Sequence, residues 1–504
     1  MRVRIEKGRA CGVVEAPPSK SMAHRLLICA GLAGGRSVIH GIAASEDVLA
    51  TLDCLAALGV RCEVEKDTVT VYGNKFHKSE DASAFESDCH FGSDCCLLSG
   101  GQSGSDGCSA SGSGGTAPND VLEKHSNTAK KRILSCRESG STLRFFLPIC
   151  LAIGGKSVLK GKGRLPERPQ DVYRKICEEQ GISFSQDSGG ITVEGYLKPA
   201  RFTLPGNVSS QFVSGLLFAL PLLSGDSKIE IIPPVESRPY IEMTIAALES
   251  FGVTASWEDE NTLFVKGGQT YEPRETAVEG DYSNAAFLDA LGALGGDVKV
   301  TNLRPDSLQG DKVYRQLFAQ IRSMTNLDLP PFFEDNREAL MKAEPPVFLE
   351  YNDSKISGVG SAHTVFSMND GAEGCKKKID ISDCPDLGPV LFAVAAACGG
   401  GHFTGCRRLK IKESDRAAAM AAELAKLGVP VEVGEDEVVV GACTLHAPQV
   451  PIDGHNDHRI VMAMAVLLTL TGGEIEGAEA VNKSFPDFFE KLKKLGINVT
   501  KIEA

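Results

Sequence analysis

Apolar residues at helical spacing recur along the chain in runs that end on a small residue and glycine. A short stretch in which β-branched and polar residues alternate follows each run. This phrase occurs six times, as AGGRSVIHG from position 33, IGGKSVLKG from 153, SGDSKIEII from 224, LGGDVKVTN from 294, CGGGHFTGC from 398 and TGGEIEGAE from 471. The glycines predict helix C-caps and the alternation predicts half-buried strands. A second phrase lies inside the repeats, a helix closing on Gly and then Val or Ile. Its copies are LAALGV ending at 60, EEQGI at 182, LESFGV at 253, LAKLGV at 429 and LKKLGI at 497. The first four run on into hairpin-like pairs such as RCEVEKDTVTVYG and PVEVGEDEVVVG.

Glycine-phrase positions 35, 155, 225, 296, 400 and 473 are separated by 120, 70, 71, 104 and 73 residues. The repeating unit is therefore about 70 residues. The two long intervals hold sequence that reads as inserted. Residues 75–130 include GGQSGSDGCSASGSGGTAPND, a Ser/Gly tract expected to be flexible, and residues 325–377 interrupt the unit without a clear second phrase. Six βαβ-containing units predict a two-domain α/β protein with three units per domain.

At 504 residues with 42% apolar side chains, the chain has material for two cores. A formal net charge of −13 argues against a general nucleic-acid binder and against a binder of anionic membranes, so any anion site must be a local basic pocket. The start MRVRIEKGRACGVVEAPPSK lacks the apolar core of a signal peptide, and no run approaches the roughly 20 apolar residues that span a bilayer. A cytoplasmic location is the expectation. The 16 cysteines are expected to be reduced, and Cys95-Cys96 and Cys108 lie in Ser/Gly-rich sequence without paired C-x-x-C spacing or neighbouring histidines at ligand distance, so no metal site is expected.

PSKSMAHR at 18–25 runs straight into the apolar stretch LLICAGLA, which puts Lys20 and Arg25 in the first turns of a helix. Helix N-termini carry partial positive charge, so cations there need an anion. Similar clusters follow. RESGSTLRF places Gly140 and Ser141 at a helix start with Arg144 nearby, and RLPERPQD fixes Arg168 between Glu167 and Pro169. GNVSSQFV opens an apolar helix with Ser209, Ser210 and Gln211, more polar groups than N-capping needs, and ESRPY offers Ser237, Arg238 and Tyr240 at the next helix start. In the C-terminal half, DCPDLGPV has Asp386, KIKESDR has Lys412, Glu413 and Arg416, HNDHR has His458 and Arg459, and NKSFPDFF has Lys483. The simplest account is a cleft between two domains where helix N-termini, Arg and Lys converge on a polyanionic ligand.

The ordered set PSKSxxxR, ERP, SSQF, SRPY, EGD with Ser283, SLQGD, PD at 385, KESDR, NDHR and KSFPDFF resembles the 5-enolpyruvylshikimate-3-phosphate synthases. The resemblance covers nearly all the chain outside the two insertions. It implies the inside-out α/β barrel of the enolpyruvyl transferases, two domains of three βαβαββ units each. The chain would cross between them near Pro17–Lys20 and near Glu275–Asp281, giving one domain at 20–275 and the other at 1–19 plus 276–504. The implied reaction joins shikimate 3-phosphate and phosphoenolpyruvate through a tetrahedral adduct that expels phosphate, in a monomer with neither metal nor organic cofactor. Lys20, Ser21, Arg25, Ser209, Ser210, Gln211, Ser237, Asp386 and Lys412 resemble the shikimate 3-phosphate contacts. Lys20, Gly140, Arg168, Gln211, Arg416, Arg459 and Lys483 resemble those for phosphoenolpyruvate. Asp386, Glu413 and Lys20 suit the proton transfers and charge stabilisation such a reaction needs.

Two positions depart from the family pattern. Glu138 stands where the phosphoenolpyruvate loop often has Asn, and Arg408 stands four residues before Lys412 where many members have Asn. The enolpyruvyl transferases for UDP-amino sugars fit less well, since their first motif has Lys-Asn where this chain has Lys20-Ser21, and Cys136 precedes the anion loop instead of matching their acid.

Overall fold

The computed structural model describes residues 1–76, 131–323 and 378–502. Both expected insertions, at 75–130 and 325–377, lie outside the described residues apart from Lys75 and Phe76. The described α-helices are α1 (Lys20–Leu32), α2 (Glu46–Ala57), α3 (Gly140–Ile153), α4 (Asp171–Glu179), α5 (Ser210–Ala219) and α6 (Arg238–Ser250) in the first half. The second half has α7 (Tyr282–Ala293), α8 (Tyr314–Ser323), α9 (Gly388–Ala397), α10 (Arg416–Ala425), α11 (His458–Thr471) and α12 (Phe488–Lys494). All six glycine phrases lead from helical sequence into strands, at Gly35–His40, Lys156–Lys160, Ser227–Ile232, Asp297–Thr301, Gly401–Thr404 and Gly473–Glu476. Gly154 and Gly472 terminate α3 and α11 at φ 84° and 77°, a conformation in which a side chain would be strained.

Three of the phrase strands stand second in four-stranded sheets of one kind. In one, Arg132–Ser135 runs parallel to Lys156–Lys160, which pairs antiparallel with Gly190–Glu194, itself hairpinned to Ser183–Asp187. A parallel pair needs a crossover, and α3 supplies it. The same order holds for Arg201–Pro205, Ser227–Ile232, Thr262–Val265 and Ala255–Trp257, and for Lys378–Asp380, Gly401–Thr404, Glu437–Val440 and Val431–Val433.

The remaining three sheets use strands from distant parts of the chain. Cys11–Glu15 leads into α1 yet pairs in parallel with Asp297–Thr301, Cys11 facing Asp297. Glu275–Ala277 leads into α7 yet pairs in parallel with Gly35–His40, Glu275 facing Val38. The two units thus exchange first strands. Arg2–Ile5 inserts between Gly473–Glu476 and Val499–Ile502 in the last sheet. The two passing segments lie side by side: Ser19 N donates to Glu279 O at 2.7 Å and Asp281 N to Pro17 O at 2.7 Å.

Two separate apolar clusters result. One contains residues from Ala23 to Val278, and the other joins Val3–Ala16 to Tyr282–Val499. The first helix of a unit lies deep in its cluster. Every residue of α7 is buried, as are Thr142–Ala152 of α3 and His458–Thr469 of α11. Second helices bury one face only, such as Tyr314, Leu317, Phe318 and Ile321 of α8. No helix among the described residues is long and apolar enough to cross a membrane.

Candidate active site

The N-termini of α1, α3 and α5 and the turn before α9 line a cavity between the two clusters. On the first-cluster side these helices are capped by serine. Ser19, Ser139 and Ser209 accept hydrogen bonds from the Met22, Thr142 and Gln211 amides. Lys20, first residue of α1, places its ammonium 2.8 Å from Asp47, and its amide donates to Asp281 at 3.0 Å. Those carboxylates answer the misfit of a cation at this helix start. Burial opposes the charge on Lys20, but Asp47 and Glu413 outweigh it and raise its pKa.

Arg25, one turn further on, has only neutral partners. It donates to the Ser21 and Tyr240 carbonyls at 2.7 and 2.8 Å and to the Thr244 hydroxyl at 2.9 Å. Arg144 donates to Gln211 Oε1 at 2.8 Å, and Gln211 Nε2 donates to Ser141 at 2.9 Å. With burial dominating, both guanidinium groups are pulled down to about 10. No carboxylate of the described residues forms an ion pair with either. Arg168 closely approaches Gly140, where a Cβ would lie 2.7 Å from its Nη1.

The second-cluster side is built from carboxylates interlaced with cations. Asp386, in the turn Pro385–Leu387 before α9, lies 2.7 Å from Arg416, 3.2 Å from Lys412 and 3.2 Å from Arg459. Burial would raise its carboxyl, but Arg459, Lys412 and Arg416 hold it well below the usual range. Glu413 is 2.6 Å from Arg416 and is likewise held well below its ordinary value, burial being outweighed by Arg416 and Arg168. Arg416 is fully buried and also pairs with Asp457 at 2.9 Å. Asp457 caps α11 by accepting from the Arg459 amide, and Asp281 caps α7 by accepting from the Asn284 amide. Burial lowers Lys412, with the Arg416 and Arg408 cations acting in the same direction.

Among the residues expected from sequence, Lys20, Ser21, Arg25, Gly140, Arg168, Ser209, Ser210, Gln211, Ser237, Asp386, Lys412 and Glu413 line the cavity. Arg416 and Arg459 stand behind Asp386 as its ion-pair partners. Lys483 ends a 3-10 turn, Ala478–Lys483, instead of opening a helix, and is 2.6 Å from Glu138. Asp47, Ser141, Arg144, Tyr240 and Arg408 also line the cavity. Sequence reasoning marks Arg144 and Tyr240 only as neighbours, leaves Arg408 outside the set and misses Asp47, which reads as an ordinary first-turn acid of α2. Arg408 crosses between the clusters, with Nη2 donating to Ser237 Oγ at 2.8 Å and Nε 2.8 Å from Glu236. Asp311 accepts from Tyr240 at 3.0 Å and from Ser283, and burial with the nearby Asp386 charge pushes its carboxyl up to about 7.

His458 is buried, and burial followed by the Lys20 and Arg459 cations keeps its ring neutral. Among the described residues no group of His, Cys, Asp and Glu is arranged to hold a metal ion, and the described cysteines are free thiols. The arrangement can bind several anionic groups on one side and present ionised carboxylates to them from the other.

Known proteins are similar to this chain in sequence and in architecture. A family model described as EPSP synthase (3-phosphoshikimate 1-carboxyvinyltransferase) matches residues 5–86 and 116–492. A curated relative named 3-phosphoshikimate 1-carboxyvinyltransferase from Clostridium beijerinckii is 34% identical over 500 residues, covering 98% of this chain and 97% of the relative. Relatives of the same name from Clostridium kluyveri and Clostridioides difficile are 35% and 33% identical over 98% of this chain and 97% of their own lengths. Two solved structures of EPSP synthase from Acinetobacter baumannii share the fold, with TM-scores of 0.64 and 0.65 at 22% and 21% identity. They match 99% and 100% of this chain and the whole of each solved chain. On the extent of the family match and the full-length identity to its curated members, the chain belongs to the EPSP synthase (3-phosphoshikimate 1-carboxyvinyltransferase) family.

Proposed function

We propose that this chain transfers the carboxyvinyl group of phosphoenolpyruvate to the 5-hydroxyl of shikimate 3-phosphate, releasing inorganic phosphate on the route to chorismate and the aromatic amino acids. One observation carries the reading at residue level: cations without carboxylate partners on one side of the cavity face the ionised pair Asp386 and Glu413 on the other.

Arg25, Ser209, Ser210, Ser237 and Lys412 hold shikimate 3-phosphate, with Ser21 and Gln211. Gly140, Arg168, Arg416, Arg459 and Lys483 serve phosphoenolpyruvate, and Lys20 touches both. In the first step the 5-hydroxyl oxygen bonds to C2 of phosphoenolpyruvate, C3 gains a proton, and the hydroxyl proton leaves to a carboxylate. In the second, the new methyl group loses a proton and the C2–O bond to phosphate breaks. One of Asp386 and Glu413 takes the hydroxyl proton while the other gives C3 a proton it has taken up as substrate binds, and the pair reverses these roles in the second step. Their cation partners hold them ionised before substrate arrives, and bound phosphates and carboxylate share those cations, which raises the basicity of both side chains. Lys20, kept protonated beside Asp47, stabilises the charge that develops on the substrate oxygens.

The same reading assigns two domains, 20–275 and 1–19 plus 276–504, each of three βαβαββ units arranged as an inside-out barrel. It also includes a cytoplasmic monomer, needing neither metal nor organic cofactor and binding neither nucleic acid nor membrane. The two strand exchanges at the crossings support a hinge there, and closure over substrate would exclude water.

A phosphate-release assay with both substrates tests the reaction. Turnover that requires both is expected, and none at any enzyme concentration rejects it. Lys20→Ala is expected to lower kcat about a hundredfold or more while folding normally, a charge-stabilising donor being worth that much.

A further inference from the structure

The Lys483 ammonium donates to Glu138 Oε2 at 2.6 Å and to the Asn456 carbonyl at 2.6 Å, and Asn456 Nδ2 donates to the same Glu138 oxygen at 3.0 Å. Glu138 belongs to the segment leading into α3 on the first-cluster side, while Asn456 and Lys483 belong to the second. The contact therefore spans the cleft. Three residues around it adopt left-handed backbone conformations that non-glycine residues disfavour, Arg137 at φ 46°, His455 at 49° and Asn456 at 49°. Each side is also anchored. Arg137 pairs with Asp53 at 2.8 Å and Glu46 at 2.7 Å, and His455 lies 2.9 Å from Glu423. Glu138 is thus held with its carboxylate against Lys483 by a strained and braced backbone.

We propose that Glu138 competes with phosphoenolpyruvate for the Lys483 ammonium and so sets the affinity for that substrate. This rests on the enolpyruvyl-transfer reading, in which Lys483 serves phosphoenolpyruvate. A carboxylate at 2.6 Å already satisfies the cation, and an arriving anion must displace it or accept its repulsion. Glycine at 163 makes room for the side chain, since a Cβ there would lie 3.0 Å from Glu138 Cδ. Closing contact and substrate site are therefore the same group.

Steady-state phosphate release by the full chain and by Glu138→Gln tests this. The amide keeps the shape and removes the charge, so the KM for phosphoenolpyruvate is expected to fall about fivefold, the scale of removing one nearby like charge across partly screened protein. The KM for shikimate 3-phosphate should move less than twofold. Loss of a merely structural contact would loosen the site and raise KM, so the direction of the change separates the two roles. Glu138→Asn is the second variant if the first does not fold, with the same expectation. A KM for phosphoenolpyruvate that is unchanged or raised, or that falls in step with the other substrate's, overturns the competition alone. No turnover by the parent chain would overturn the enolpyruvyl-transfer reading and the competition with it.

Discussion

The two sides of the cleft cap their helices with different residues. In the first half the side chains of Ser19, Ser45, Ser139 and Ser209 cap α1, α2, α3 and α5. In the second half the side chains of Asp281, Asp415 and Asp457 cap α7, α10 and α11. Both residue types suit an N-cap, but only aspartate cancels the positive end of the helix dipole. Serine therefore leaves the first side electropositive, in keeping with Arg25 and Arg144 being buried without a carboxylate. On the second side the aspartates and Glu413 neutralise Arg416 and its neighbours, which raises the Arg416 pKa while burial opposes it. On the proposed reading the difference is a division of labour: one wall receives the anionic substrates, and the other holds ionised carboxylates for proton transfer.

Exchanging roles across this divide should have graded effects. Asp386→Asn removes a proton carrier and should lower kcat about a thousandfold with both substrates saturating, within the usual range for a general acid or base. Phosphate release measures it. Asp457→Ser keeps a capping oxygen but strips Arg416 of one buried partner, and should destabilise the fold by about 3 kcal/mol, as breaking a buried pair does. Chemical denaturation reads this directly. Ser209→Asp keeps the α5 cap but puts a carboxylate where an anion should sit, so the KM for shikimate 3-phosphate should rise at least about tenfold, the effect of roughly 1.4 kcal/mol of repulsion. Its melting temperature should stay within about 3 °C of the parent, since the cap survives.

A further effect concerns pH. Asp311 is raised from 3.8 to about 7, so the folded state takes up its proton more readily than the unfolded chain. Its contribution to stability is complete below about pH 4 and is lost as pH rises to about 7. Asp311→Asn should therefore match the parent near pH 4 and become more stable than it by pH 8. Melting curves at the two pH values show whether the gap opens in that direction.

What was legible in the sequence was local. The glycine phrases mark helix ends because a left-handed cap at Gly154 or Gly472 is a property of a few residues. Serine and acidic clusters at helix starts were visible for the same reason. Pairings across the chain were not. Nothing local says that Cys11–Glu15 pairs with Asp297–Thr301 instead of Gly35–His40, because both are short strands of suitable pattern. Asp47 looks like an ordinary acid in the first turn of α2, and only the approach of α1 brings it to Lys20. Asp457 caps α11. Its second role, on Arg416 from 41 residues away, depends on how α10 and α11 meet.

The most direct test of the division between the walls is to measure phosphate release by Ser209→Asp and Asp386→Asn side by side as both substrates are raised to saturation. The account predicts that Ser209→Asp recovers a kcat close to the parent's, while Asp386→Asn stays about a thousandfold slow at any concentration. Equal losses of kcat in both variants, or recovery of Asp386→Asn at saturation, would contradict it.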